Sequence, residues 1–129
     1  MNSTGRPARL RLTGSLSIAE NRLLLVGNEV PESTWVLPIA GTIPVNVPMV
    51  GGSTGTLCVG GSVRRLAASI ARADAGGAYD GAIDLTVWHP GPSPTAQPGE
   101  TWHFQLWFRD SGQTGVTSNF SDAVEVTYQ

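Results

Sequence analysis

The sequence predicts an all-β domain, a two-sheet antiparallel β-sandwich of jelly-roll or immunoglobulin-like type with about eight short strands. Three observations lead there. Apolar residues recur with a period of two in short runs. Turn residues separate those runs, with 16 glycines and 9 prolines in 129 positions, and charged residues make up only 14% of the chain. The densest run, Pro98 to Asp110, puts Trp102, Phe104, Leu106 and Phe108 on one face and Thr101, His103, Gln105, Trp107 and Arg109 on the other. The first face is a core, which makes this the central strand. The second mixes a large ring with polar groups, as on a face that is half covered or meets a partner.

Taken in order, residues 1–8 are polar and turn-like and read as an N-terminal arm. Ala8 to Leu12 alternates, with Leu10 and Leu12 inward and Arg9 and Arg11 outward. Ser17 to Asn21 is a connection or single helical turn, and Leu23 to Val26 a fully buried strand closed by Gly27-Asn28. Residues 35–49 are apolar but carry Pro38, Pro44 and Pro48. Proline belongs at sheet edges, so the segment reads as a proline-rich arm or edge segment. Thr56 to Val59 is a strand that buries Cys58 between Leu57 and Val59. Over Leu66 to Ala75 helical spacing competes with alternation, and two strands are favoured, with a hairpin through Gly76-Gly77 to a strand over 82–88. His89 to Pro98 is a proline-rich exposed loop. Ser118 to Asp122 turns the chain into a last strand in which Val124, Val126 and Tyr128 alternate with Glu125 and Thr127. The whole of 1–129 is one domain's worth of chain.

Composition excludes several function classes. A net charge of −2 provides no basic field for nucleic acid, and no apolar run approaches the ~20 residues of a membrane span. Cys58 is the single cysteine, so Cys-pair metal sites are absent. All eight basic residues are arginine.

No paired-carboxylate motif, nucleophile elbow or phosphate loop appears, and His89 and His103 form neither a metal pair nor a triad, so the expectation is a protein that is not an enzyme and needs no cofactor. Asp110 and Asp122, on two turns, are the calcium option if those turns meet, and Asp74, Asp80 and Asp84 lie in a Gly-rich turn region without EF-hand spacing. Two surfaces compete for function. Trp35, Trp88 and Trp107 are the possible platforms for polysaccharide, Trp88 and Trp107 foremost, because sugar faces stack on aromatic rings. Trp35, Val36, Leu37, Val45, Val47 and Met49 form an apolar segment suited to assembly with other copies of the chain.

The Asn2-Ser3-Thr4-Gly5 opening, Leu57-Cys58-Val59-Gly60-Gly61, Trp102-x-Phe104-Gln105-x-Trp107-Phe108-Arg109-Asp110 and Asn119-Phe120-Ser121-Asp122-Ala123 occur in that order. Together they resemble a C-terminal β-domain of secreted proteins from planctomycete-type and related bacteria. The resemblance spans nearly the whole chain and implies an extracellular or cell-surface setting and no activity. Members carry further cysteines, one of them just before the Asn-Ser-Thr-Gly start, where this chain has Met1. The leading expectation is a structural or adhesive extracellular β-domain that self-associates into a filament or surface assembly; the alternative is a carbohydrate-binding module.

Overall fold

The structure, a computed structural model, describes residues 2, 4–49, 53–61, 63–85, 98–112 and 115–129, of which 111, 112 and 115–117 by backbone alone. Ten strands follow one another: β1 (Arg9–Gly14), β2 (Leu23–Asn28), β3 (Trp35–Gly41), β4 (Ile43–Pro48), β5 (Thr56–Gly60), β6 (Arg64–Arg65), β7 (Ala71–Arg72), β8 (Tyr79–Ile83), β9 (Thr101–Gly112) and β10 (Gly115–Thr127). All pairings are antiparallel. One sheet has the order β1-β2-β8, the other β10-β9-β3-β6 with β7 also on β3, and β4-β5 is a separate hairpin. This is the strand order of an immunoglobulin-type sandwich, A-B-E against G-F-C-C′, rather than of a jelly roll.

The core lies between the two sheets, where the central strand was expected to place it. Trp102, Phe104, Leu106 and Phe108 are at most 5% exposed, and each fully buried side chain of this size contributes about 1.5–3 kcal/mol. Leu10, Leu23, Leu25 and Tyr79 meet them from the opposite sheet, with Val36 from β3 and Tyr128 at the chain end. A glycine permits close approach of the two sheets: a Cβ on Gly27 would stand 2.6 Å from Leu106 Cδ1.

Both lateral seams of the sandwich are tied by side chains. On one, Asp122 joins β10 to β1 through Leu10 N–H and the Ala8 carbonyl. On the other, the Tyr79 hydroxyl of β8 donates to the Ser69 carbonyl, and Ser69 Oγ donates to Ala82 O at 2.6 Å. Gly81 is required there, since any Cβ would collide with the Tyr79 hydroxyl.

The segment 35–49 differs from the arm or edge expected of it. Its first half is β3, an interior strand between β9 and the short strands β6 and β7, and Val36 is fully buried. Pro38 is tolerated for a specific reason. Leu66 N–H donates to the Pro38 carbonyl, so in this antiparallel ladder the imide nitrogen of Pro38 also faces the β6–β7 side. On that side the neighbouring chain is interrupted: β6 pairs with Ile39 and Ala40, β7 with Trp35 and Val36, and a 3₁₀ turn at Ala67–Ser69 loops out between them. The missing donor of Pro38 falls at the gap.

The outer face of β9 is covered by the β4–β5 hairpin. Gln105, on that face, is fully buried; its Oε1 accepts Cys58 N–H at 2.9 Å and its Nε2 donates to Thr56 O and Ser121 O at 2.9 and 2.7 Å. Cys58 is half-buried rather than buried, because its strand belongs to this outer layer and not to the core. The turn expected at 118–122 is instead a bulge inside the long strand β10, with the register shift between Phe120 and Ala123. The described residues of the arm expected over 1–8 fold back on their own domain: Asn2 Nδ2 donates to Glu29 O at 2.7 Å, and Ala8 is in the core.

Candidate functional site

The outer face of the β3–β9 pair carries an apolar groove of about 250 Å³, lined by Trp35, Leu37, Ile70, Trp107, Arg109 and Ser118 among others. Period-two alternation builds its floor. Val36 and Phe108 point into the core, which sends Trp35 and Leu37 from β3 and Trp107 and Arg109 from β9 to the opposite face. The register sets Leu37 opposite Trp107, so tryptophans far apart in sequence share one patch. Ile70 comes from the segment that loops out opposite Pro38 and is 47% exposed.

Each tryptophan carries a guanidinium. Arg72, cross-strand partner of Trp35, lies 4.9 Å from its ring centroid, and Arg65 lies 5.8 Å from that of Trp107. Trp107 also runs nearly parallel to Phe120 of β10, with centroids 6.3 Å apart and planes at 15°. Trp107 is held half-buried, with its Nε1 inaccessible and without a hydrogen-bond partner, so what it presents outward is ring carbon. Trp35 is 49% exposed and forms the open wall.

The structure redistributes the residues expected to act. Of the assembly set, Trp35 and Leu37 line the groove, Val36 is core, Val45 is half-buried against Gly60, and Val47 and Met49 stand exposed on the β4 hairpin with Ile43. Of the glycan pair, Trp107 is in the groove beside Trp35, while Trp88 lies outside the described residues, as do His89 and most of the proline-rich loop. Asp110 is buried and accepts Asn119 Nδ2 at 3.2 Å. Asp122 is engaged at the β1 seam with Leu10 and Arg9. Asp74 Oδ1 accepts Gly76 and Ala78 N–H, which makes it a turn-forming residue. Among the described residues no group of three or more His, Cys, Asp or Glu is placed to hold a metal ion. His103 is buried on the hairpin-covered face, with Nδ1 3.9 Å from Glu125.

Ile70, Arg65, Arg72 and Arg109 are not legible in the sequence as parts of one site with Trp35 and Trp107. Their convergence depends on the β3–β9 register and on the looped edge, neither of which leaves a local pattern. An immunoglobulin-type sandwich with an aromatic groove on its G-F-C-C′ face is therefore the class that fold and site define. No family model, curated protein or solved structure matches the chain.

Proposed function

We propose that this domain is a non-enzymatic carbohydrate-recognition module that takes a polysaccharide in the Trp35–Trp107 groove. One observation carries the reading: two tryptophans on neighbouring strands wall a single open apolar groove, and each has a guanidinium over its ring. Sugar rings stack on such walls because their C–H faces are apolar while their rims hydrogen-bond. The lining residues include no carboxylate and no histidine, which suits binding rather than turnover. The extracellular or cell-surface setting rests on the family resemblance described above.

The test is affinity electrophoresis through gels containing soluble polysaccharides. Trp35→Ala and Trp107→Ala are each expected to abolish the retardation seen with the unaltered chain, at unchanged elution volume. Retardation that survives both substitutions would refute the reading.

A second reading, self-association into a filament or surface assembly, is supported by a different surface. Ile43, Val47 and Met49 are 50%, 41% and 70% exposed along the β4 hairpin, more clustered apolar surface than scattered exposure requires. The rest of the expected arm supports it less, since 1–8 and 35–41 are engaged within their own domain.

A further inference from the structure

We infer that the ligand of the groove is an acidic polysaccharide, a chain of uronic-acid sugars whose carboxylates meet Arg65, Arg72 and Arg109. The inference rests on the carbohydrate reading and specifies the ligand's charge and chemistry.

The distribution of arginines carries it. Arg6, Arg9 and Arg22 each lie within 4 Å of a carboxylate, on Glu29, Asp122 and Glu20 at 3.2, 3.7 and 3.5 Å. Arg11, Arg65, Arg72 and Arg109 are exposed and have no carboxylate within that distance among the described residues. Of these, Arg11 stands alone on β1, whereas the other three converge on one place: Arg65 on the Trp107 ring, Arg72 on the Trp35 ring, and Arg109 in the groove lining. In a chain of net charge −2, acids outnumber bases, so a cluster of unneutralised cations is a local departure from the overall balance.

Lying over a ring does not use up these cations. A guanidinium meets an indole through its flat face, and its N–H donors radiate in its own plane, leaving the outer edge able to take a carboxylate in two parallel hydrogen bonds. A uronic acid presents what this arrangement accepts: an apolar ring face for the side of the exposed Trp35 ring that Arg72 does not cover and, on the sugar's rim, a planar carboxylate for the fork. The groove, at about 250 Å³, is below the ~300–1,000 Å³ of pockets that enclose a small molecule. It suits one or two rings of a longer chain whose remaining charges stay in solvent.

The experiment titrates the whole chain with polygalacturonate and with the same polymer after methyl esterification, which removes the charge and keeps the rings. Polygalacturonate is expected to bind at least about tenfold more tightly than its ester, and to weaken as sodium chloride rises from about 50 to about 500 mM. Arg65→Gln and Arg72→Gln are each expected to lower polygalacturonate affinity by a larger factor than they lower the ester's, so that the ratio of the two affinities falls by about fivefold or more. Equal affinity for the free and esterified polymers would overturn the acidic-ligand inference and leave the carbohydrate reading standing. Failure to bind these or neutral polysaccharides would remove both. Binding of polyglutamate as tight as that of polygalacturonate would also overturn the inference, since charge alone would then suffice. The arginine variants keep it falsifiable if the tryptophan variants fold poorly.

Discussion

Asp122 Oδ1 accepts the Leu10 backbone N–H at 2.7 Å, and this contact does at the seam what a ladder hydrogen bond does inside a sheet. The bulge between Phe120 and Ala123 turns the Asp122 side chain toward β1, while Asp122 N–H donates to Ala8 O at 3.3 Å. The two sheets are therefore joined along one side, and part of the edge of β1 is occupied. Asp122→Ala should cost about 1–2 kcal/mol in chemical denaturation, since a partly exposed, charge-assisted bond is lost and Leu10 N–H is left without its acceptor. Asp122→Asn, which keeps an acceptor oxygen, should cost less than half as much. The Arg9–Asp122 pair, at 3.7 Å and largely exposed, adds little to either figure. Equal losses for the two variants would contradict the hydrogen-bond account.

Two buried tyrosines are expected to respond oppositely to removal of their hydroxyls. The Tyr79 hydroxyl donates to Ser69 O at the other seam, whereas the Tyr128 hydroxyl is buried with no hydrogen-bond partner among the described residues. Tyr79→Phe should destabilise by about 1 kcal/mol, because it also leaves the Ser69 carbonyl unpaired. Tyr128→Phe should be neutral or stabilising by up to about 1 kcal/mol, since folding then no longer strips water from an unsatisfied hydroxyl. Thermal melts of the two variants side by side decide the matter by the sign of their shifts.

The same tyrosines set an alkaline limit. Burial, reinforced by Asp80 beside Tyr79 and Glu100 beside Tyr128, raises both phenols above their ordinary value near 10. In the folded state they hold their protons where the unfolded chain has begun to lose them. Stability from this source is thus complete below about pH 10 and declines as pH rises further, because the unfolded state binds fewer protons there. Phenolate absorbance should appear together with unfolding, above pH 10, rather than as a free titration at the ordinary value. A full phenolate signal near pH 10 with the fold intact would contradict the burial of both hydroxyls.

The part of this structure legible in sequence is the part governed by local alternation. Trp102, Phe104, Leu106 and Phe108 announce a core strand because each sits two residues from the next, and the turn-rich composition announces an all-β fold. Gln105 was not legible as a buried residue, since alternation assigns it to the outer face and says nothing of a hairpin that covers that face. Pro38 misleads for a related reason. The rule that keeps proline at edges concerns an unpaired nitrogen, and here the nitrogen is accommodated by a gap in the neighbouring strand 28 residues onward, at Leu66. The groove is illegible in the same way, because Trp35 and Trp107 meet only through a long-range register.

The β4 hairpin supports a last prediction, on how copies of this chain would meet. Among the described residues β4 pairs only with β5, and its other edge would invite strand addition by a neighbour. Pro44 and Pro48 oppose that, since each removes a backbone donor from a six-residue strand, a device that blunts edges against open-ended pairing. The exposed Ile43, Val47 and Met49 side chains remain available. Contact between copies is therefore expected through apolar side chains, reversible and strengthened by salt, rather than through a continuous backbone ladder. Sedimentation over a range of concentrations should register the association, and the double variant Ile43→Lys, Val47→Lys should reduce it to monomer while leaving polysaccharide retention intact. Pro44→Thr with Pro48→Thr should act in the opposite direction, restoring donors to the edge and promoting larger assemblies. If the lysine variant associates as strongly as the unaltered chain, this surface is not where copies meet; if the proline variant does not differ from it, the prolines are not what guards the edge.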